Sequence, residues 1–376
     1  MKKLNIFFVI SIMAFISCKE NPAEGIAQIS NTDQSFSFRT EIVVDGLEIP
    51  WGMVFLPDGS MLISEQKGDL IHFKNGTKTL VQNVPEVYDK NQGGLLDIEL
   101  HPNYSENGWI YFSMSADIEN DGKGGNTTIM RAKLVDNKLV DQEILYKATP
   151  NTTSGNHFGS RLEFDREGYL YFSTGDRKNR DVNPQDITRD NGKIYRINDD
   201  GSIPTDNPFY NTEGAKKAIY SYGHRNPQGM TMNPSTGKIW THEHGPKGGD
   251  EINIIEAGKN YGWPKITYGI NYSGTKITDD TSLPGMEQPL HYWVPSIAPS
   301  GMEFVTSNKY PQWKGNLLIG SLKFKYLNRC VIENNKVIKE EKLLEGMGRV
   351  RTILEAPDGF IYVAIEQLGI VKIVPE

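Results

Sequence analysis

The stretch SRLEFDREGYLYFSTGD, residues 160–176, contains two short runs that alternate apolar and polar residues on either side of the turn DREG. Alternation with a period of two directs one side of each run toward a core, which is the pattern of a half-buried β-strand. The glycine of the turn adopts a positive φ at little cost, so the chain can reverse tightly there. The pattern predicts a β-hairpin over residues 160–176.

The same layout recurs along the chain, with Pro, Asp, Asn or Gly in the turn of each copy. The copies span residues 52–65, 96–114, 160–176, 228–245, 300–322 and 350–366. Their irregular spacing of about 45 to 70 residues is typical of propeller blades that carry variable insertions. A β-sandwich, the competing all-β architecture, gives no reason for one hairpin to be repeated. We therefore predict an all-β fold, a six-bladed β-propeller.

Composition limits the classes of partner. The chain has 376 residues, among them 37 Gly, 17 Tyr and 15 Phe, which favours many short strands joined by tight turns. Its net charge of −7 argues against general binding of nucleic acid, because phosphate recognition needs a basic surface. Any basic cluster must then be local.

The N-terminal segment indicates export. Residues 1–18, MKKLNIFFVISIMAFISC, combine a charged start with an apolar run that is short for a membrane span. Cys18 at its end resembles the bacterial lipoprotein pattern, in which that cysteine is lipidated; the alternative is an ordinary cleaved signal. Residues 19–36 are polar and predict a flexible tether, and residues 37–376 are assigned to the propeller. We expect a lipid-anchored protein of the cell envelope, on its periplasmic side or surface.

Two basic pairs occur late in the chain. Lys323 and Lys325 are two residues apart, as are Arg349 and Arg351, so in an extended strand each pair lies on one face. Such pairs suit a multiply charged anion, for example a polycarboxylate, which arginine can bind in bidentate fashion. The alternative is a solvated edge strand.

Three further segments contain candidate site residues. In GHRNPQGM, the planar donors Arg225 and Asn226 surround a proline-fixed turn, although a turn capped by its own side chains would also use Asn226. In TSGNHFGSRL, His157 lies between glycines and is either a base or a loop residue. Gln92, before two glycines, is a weaker candidate for hydrogen bonding at the edge of a pocket.

The segment HEHGPKGGDEINIIEAGKNYGWP, residues 242–264, contains candidate metal ligands. His242 and His244 have no third ligand nearby, which makes zinc a weak interpretation. Backbone carbonyls around Pro246, with the carboxylates of Asp250 and Glu251, offer the hard oxygen donors that calcium prefers. A glycine-rich turn with a capping acid is an equally good interpretation.

These motifs together resemble the soluble quinoprotein sugar dehydrogenases, which use pyrroloquinoline quinone (PQQ). The resemblance runs from Leu47 to Ile373, and its motifs occur in family order: PWGMVFLPDG, QGGLLDIELHP, GNHFGSRL, GHRNPQGM, HGPKGGDEIN and GKNYGWP. It implies a six-bladed propeller that oxidises the anomeric carbon of aldoses to lactones by hydride transfer to PQQ. The electrons would then pass to a quinone, cytochrome or dye.

The resemblance also implies a role for each candidate residue. His157 corresponds to the general base, Arg225 and Asn226 to the groups on the reacting quinone oxygens, and Gln92 to a residue that contacts sugar and quinone. The carboxylates of PQQ would be held by Lys323, Lys325, Arg349, Arg351 and Tyr272. Carbonyls of Gly245 and Pro246 correspond to ligands of the Ca²⁺ that polarises the quinone, and Glu251 and Tyr261 to those of a second, structural Ca²⁺.

One position departs from the glucose-oxidising members, which have an aspartate directly before the catalytic histidine, whereas this chain has Asn156. That difference favours the aldose-sugar branch or relatives of unknown substrate. Two other classes remain open, a calcium-dependent lactonase or other hydrolase, and a non-catalytic propeller that binds glycans or proteins.

Overall fold

The computed structural model describes Met1, residues 36–117 and residues 122–376. Cys18, the signal segment and nearly all of the tether lie outside these described residues, so export and lipidation stay predictions. Within the described part of the chain, no helix is long and apolar enough to cross a membrane. Residues Ser37–Glu376 form one compact unit.

Six four-stranded antiparallel sheets make up this unit. The first strand, β1 (Phe38–Asp45), belongs to the last sheet. Blade 1 contains β2 (Pro50–Phe55), β3 (Met61–Glu65), β4 (Leu70–Lys74) and β5 (Thr77–Leu80). Blade 2 contains β6 (Leu95–Leu100), β7 (Ile110–Ala116), β8 (Asn126–Val135) and β9 (Lys138–Lys147), with the short helix α1 (Tyr104–Asn107) between β6 and β7. Blade 3 contains β10 (Leu162–Phe164), β11 (Leu170–Thr174), β12 (Lys193–Ile197) and β13 (Ile219–Tyr222).

The remaining blades follow the same order. Blade 4 contains β14 (Pro227–Met232), β15 (Ile239–Glu243), β16 (Asp250–Ile254) and β17 (His291–Trp293). Blade 5 contains β18 (Pro299–Phe304), β19 (Leu317–Ser321), β20 (Tyr326–Glu333) and β21 (Lys336–Leu343). Blade 6 contains β22 (Val350–Glu355), β23 (Ile361–Ile365) and β24 (Gly369–Pro375), with β1 as its outer strand. The first strands of neighbouring blades contact one another, and β22 contacts β2, which closes the ring. The predicted six-bladed propeller is confirmed.

Each predicted hairpin corresponds to the first two strands of one blade. In the hairpin quoted above, Leu162 lies opposite Phe172. Asp165 closes its turn, because the carboxylate accepts hydrogen bonds from the amides of Glu167 (3.0 Å) and Tyr169 (2.9 Å). Alternation therefore predicted both the strands and the place where the chain reverses.

The blades pack through apolar clusters, and polar groups occupy the axis. The guanidinium of Arg161 lies 2.8 Å from Asp97 of blade 2, and it donates to the carbonyl oxygens of Gln228 (2.7 Å) and Arg351 (3.0 Å) in blades 4 and 6. It also covers the ring of Trp51 in blade 1 at 4.0 Å. One buried side chain thus joins five blades directly beneath the pocket described next.

Candidate functional site

An axial cavity of about 310 Å³ opens at the end of the propeller where the first strand of each blade begins. Residues of blades 1, 2, 4, 5 and 6, or of the loops that flank them, line it: Ile49, Trp51, Gln66, Asn91, Gln92, Gln228, His244, Ala298, Leu322, Arg349, Arg351 and Glu366. Concave sites with a few convergent polar groups are where ligands bind in most proteins.

β-Bulges direct three of these side chains into the cavity. Pairing with the second strand skips Trp51 in β2, Gln228 in β14 and Arg351 in β22. A bulged residue is freed from the ladder and its side chain is re-aimed. The three side chains therefore line the cavity although they lie in regular blades.

His157 lies beside this cavity, and a buried carboxylate orients its ring. Nδ1 of His157 is 2.6 Å from Oδ1 of Asp176, and the indole Nε1 of Trp263 donates to Oδ2 of Asp176 at 2.9 Å. Burial acts to raise the pKa of Asp176, but the hydrogen bond and charge of His157, with the charge of Arg225, outweigh it and lower the pKa. An ionised carboxylate only accepts hydrogen bonds, so Nδ1 carries the proton and Nε2 keeps its lone pair.

The imidazole is held in its neutral form. Burial, followed by the positive charge of Arg225, lowers the pKa of His157 below its ordinary value of 6.5, while Asp176 opposes the shift. A neutral histidine with a free Nε2 is able to accept a proton from a substrate hydroxyl.

Gln92 fixes the backbone on which His157 sits. Its side-chain Oε1 accepts from the amide of His157 at 2.7 Å, and its own amide donates to the carbonyl of Gly155 at 2.9 Å. The side-chain oxygen of Gln92 is therefore committed, and its NH₂ group is what remains for a ligand.

Arg225 and Asn226 lie in the connection between β13, which ends at Tyr222, and β14, which begins at Pro227. Nη1 of Arg225 donates to the carbonyl of His244 at 2.9 Å, and its amide donates to Glu243 at 2.5 Å. Oδ1 of Asn226 accepts from the amide of Gly159 at 3.0 Å, whereas its buried Nδ2 has no hydrogen-bond partner. A buried donor without a partner is costly and points to a ligand acceptor at this position.

The loop after β15 contains two carbonyl groups that accept no hydrogen bond from the described residues. Asp250 anchors it by accepting from the amide of Gly245 (2.8 Å), the hydroxyl of Ser296 (2.9 Å) and the amide of Ala298 (2.8 Å). Among the described residues, no hydrogen-bond donor reaches the carbonyl oxygen of Gly245 or Pro246. Asp250 is thus committed to the loop, and the two carbonyls are free to bind a hard cation.

A second small cavity, of about 10 Å³, is lined by residues that include Glu243, Glu251 and Tyr261. Burial, and then the charge of Glu243, raises the pKa of Glu251. The hydroxyl of Tyr261 donates to the carbonyl of Ile254 at 2.6 Å and accepts from a backbone amide, so only the main-chain carbonyl of Tyr261 could bind a metal. In the described part of the chain, no three His, Cys, Asp or Glu side chains group around a metal position.

The two arginines of the late basic pairs meet at one carboxylate. Nε of Arg349 donates to Glu366 at 2.7 Å, and Arg351 donates to it through Nε, at 3.0 Å, and through Nη2. Both side chains lie on the same side, as the spacing predicted. Two guanidinium groups against one carboxylate leave a net positive charge at the wall of the cavity.

The expectation for the lysine pair was wrong in its geometry. β19 ends at Ser321 and β20 begins at Tyr326, so Lys323 and Lys325 lie in the turn between them and not in an extended strand. Lys325 has a left-handed backbone, φ 58°, and the ammonium of Lys323 lies 4.8 Å from the ring of Phe324. Neither lysine is among the residues that line the axial cavity, and Tyr272, whose relative exposure is 75%, is not among them either.

Sequence reasoning did not single out Asp176, Trp263 or Glu366, although Asp176 and Glu366 end two of the predicted hairpins. Nothing in the local pattern distinguishes these carboxylates from turn acids. Their partners, His157 for Asp176 and Arg349 for Glu366, come from the other strand of the hairpin or its extension.

Comparison with known proteins identifies the chain. A family model described as Glucose / Sorbosone dehydrogenase matches residues 47–371. The chain belongs to the glucose/sorbosone dehydrogenase family. Aldose sugar dehydrogenase YliI of Escherichia coli strain K12 is 43% identical over 335 residues, which cover 87% of this chain and 90% of that protein.

Two solved structures extend the comparison. The apo-form of soluble aldose sugar dehydrogenase from Escherichia coli has a TM-score of 0.85 at 40% identity, covering 90% of this chain and 100% of that chain. The PQQ-bound form of aldose sugar dehydrogenase from Streptomyces coelicolor has a TM-score of 0.73 at 25% identity, covering 90% of this chain and 99% of that chain. Membership of the glucose/sorbosone dehydrogenase family confirms the resemblance read from the motifs, and with it the prediction of a sugar oxidoreductase.

Proposed function

We propose that this member of the glucose/sorbosone dehydrogenase family oxidises the anomeric carbon of aldoses to lactones, with PQQ as the hydride acceptor and His157 as the base. The relative at 43% identity supports oxidation of a sugar, and the PQQ-bound neighbour supports the cofactor. The observation that carries the proposal is the neutral imidazole of His157, held by Asp176 at 2.6 Å beside a cavity with two arginines in its wall.

The polar groups in the wall of the cavity and next to it fit PQQ, although only Arg349 and Arg351 of those named here line the cavity itself. Arg349 and Arg351 supply guanidinium groups for its carboxylates. The unpartnered Nδ2 of Asn226 is a donor for a quinone oxygen, and the free carbonyls of Gly245 and Pro246 suit a calcium ion beside it. When bound, PQQ supplies a two-electron acceptor that takes the hydride from the anomeric carbon, and calcium polarises it as a Lewis acid.

His157 handles the proton of the same reaction. As the anomeric C–H bond breaks, the hydroxyl on that carbon loses its proton to Nε2 of His157. Asp176 stabilises the resulting imidazolium through Nδ1. The proton then passes to solvent, which returns the ring to its neutral form.

Loading with cofactor and metal is the direct test. The full chain, incubated with PQQ and calcium, should give the absorption spectrum of bound PQQ and should reduce a dye when aldoses are added. Removal of calcium with a chelator should abolish dye reduction, and calcium should restore it where zinc does not. Rescue by zinc without an effect of calcium would contradict the calcium proposal and point to His242 and His244. Failure to bind PQQ would favour the non-catalytic propeller.

Arg351→Ala should raise the dissociation constant of PQQ by about 10- to 150-fold, because a charge-assisted hydrogen bond contributes about 1.5–3 kcal/mol. The fold should survive, since Arg161 binds the carbonyl oxygen of Arg351 and not its side chain. Arg329→Ala is the matched control, because Arg329 is also paired with a carboxylate, Glu341 at 2.6 Å, and does not line the cavity. Equal affinity for PQQ in the two variants, measured by titration, would contradict the assignment.

We also propose that a lipid on Cys18 holds the propeller at a membrane. The support is the export pattern of residues 1–18 and the polar segment that follows it.

A further inference from the structure

The loop that carries His157 adopts a costly backbone conformation. The φ angles of His157, Gly159 and Ser160 are 58°, 66° and 83°. A left-handed backbone costs a residue other than glycine about 1–2 kcal/mol, so it persists only where the surroundings determine it. The contacts that hold this loop are therefore part of what places the imidazole.

The side chain of Arg177 makes three of those contacts, beside those of Gln92, Thr127 and Asn226. Its guanidinium donates to the carbonyl oxygens of Ser154 and Asn156 in the loop, and to that of Gly125 at 3.2 Å. It also lies flat on the ring of Phe158, with its central carbon 3.4 Å from the ring centroid. Arg177 thus contacts both chain neighbours of His157, Asn156 through its carbonyl and Phe158 through its ring.

Arg177 differs from two other buried arginines near the axis, Arg161 and Arg351. Arg161 is paired with Asp97 and Arg351 with Glu366, whereas no carboxylate of the described residues lies within ion-pair distance of Arg177. Its relative exposure is only 2%, and its Nε has no hydrogen-bond partner. Burial lowers its pKa to about 9. The charge of Asp176 opposes this shift, although its carboxylate is not within ion-pair distance. A buried charge without a directly paired carboxylate is expensive, and such costs concentrate where geometry serves function.

Adjacent residues of the chain hold the ring and the loop of His157. Asp176 binds the imidazole, and the next residue, Arg177, binds the backbone carbonyl of Asn156 and packs on the ring of Phe158. The fit is close, because a Cβ added to Gly175 would lie 2.2 Å from the carbonyl oxygen of His157. A shift of the loop would therefore move the imidazole away from Asp176.

We propose that Arg177 is a positioning residue. It fixes the loop of residues 154–158 so that Nδ1 of His157 stays hydrogen-bonded to Asp176 and Nε2 stays free. The geometric part concerns the protein without ligands. Its consequence for catalysis rests on the proposed function of His157.

The first measurement needs no variant. In the ligand-free full chain, the guanidinium protons of Arg177 should exchange with solvent at least about tenfold more slowly in NMR spectra than those of Arg180. Arg180 lies in the same segment, but its side chain is about one-third exposed and it contacts Asn271. Equal exchange rates for the two side chains would overturn the proposal.

Two variants then test the effect on the loop. Arg177→Lys keeps the charge but cannot reach three carbonyls at once, and Arg177→Met removes both the donors and the buried charge. Each should accelerate hydrogen exchange of the His157 amide by about tenfold or more, while amides in blades 5 and 6 keep their protection. Arg180→Lys is the matched control and should leave the loop unchanged. Faster exchange spread evenly over all blades, or unchanged exchange in a folded variant, would overturn the positioning role.

Kinetics separate this inference from the proposed function. In enzyme loaded with PQQ, Arg177→Lys should lower kcat by about tenfold with little change in KM, because a loosened base is less often in reach of the hydroxyl. If wild-type protein oxidises no aldose but the exchange results hold, the proposed function fails and the positioning of His157 stands. If KM rises and kcat is unchanged, Arg177 serves substrate binding and the proposal is overturned.

Discussion

Replacing His157 with glutamine should lower single-turnover oxidation of aldoses by at least about a hundredfold, because positioned base catalysis contributes about 10²- to 10⁴-fold. PQQ and calcium should still bind, since the groups assigned to them lie on other segments, such as Arg351 and Gly245. His157→Asn should be made alongside, because asparagine tolerates the left-handed backbone of this position, φ 58°, better than glutamine does. Rates close to wild type in both variants would show that His157 is a loop residue and not the base.

The pH profile provides a second check on the same residue. Only the neutral imidazole accepts a proton, and its pKa lies below 6.5 because burial and Arg225 disfavour the charged form. The rate of aldose oxidation should therefore stay constant as the pH falls through 6.5 and should decline only at more acid pH. An acid limb centred above pH 6.5 would contradict the neutral, buried imidazole.

Asp176→Asn should lower the rate by about 10²- to 10⁴-fold, as happens when a buried histidine loses its carboxylate partner. Oδ1 of Asp176 accepts from the amide of Lys178 as well as from His157, and Oδ2 accepts from Trp263. An amide has only one oxygen, so in either orientation its NH₂ group meets a donor or forces His157 into the wrong tautomer. The imidazolium also loses the charge that stabilises it.

The same substitution should move the acid limb of the pH profile further toward acid, because Asp176 is a group that raises the pKa of His157. Asp165→Asn is the matched control: this carboxylate binds two amides in the turn at the other end of the hairpin. We expect Asp165→Asn to lower the stability of the fold slightly and to leave the acid limb of the pH profile unchanged. Similar rates in Asp176→Asn and Asp165→Asn would show that the His157–Asp176 pair is not catalytic.

Strand pairing explains how far the site could be predicted from the sequence. In blade 3, Leu162 lies opposite Phe172, and extending that register by four residues brings Phe158 opposite Asp176. In blade 6, Val350 lies opposite Ile365, and one more residue brings Arg349 opposite Glu366. Continuing the register past the strand ends therefore brings Arg349 to Glu366, but it places Phe158, the neighbour of His157, opposite Asp176.

Other features have no signal in the local pattern. The turn that contains Lys323 and Lys325 interrupts an apparently continuous strand, because Lys325 adopts a positive φ that is uncommon for lysine. The bulges at Trp51, Gln228 and Arg351 arise from packing around the axis, which a single hairpin does not encode. The commitment of the Tyr261 hydroxyl to the backbone of Ile254 and Glu256 depends on how the turn after β16 folds back, which the alternation of residues does not indicate.

The place of β1 in the last blade affects how the protein can fold as it is made. Its pairing with β24 joins segments that are far apart in the sequence: Ser37 and Glu376, hydrogen-bonded at 2.6 Å, are separated by 339 residues. Closing so long a loop is slow, because its entropy is lost before the contacts form. β1 therefore stays unpaired until β24 has been synthesised. Arg39 and Glu41 place charges on that strand, and charged side chains on an edge strand disfavour its pairing with another chain.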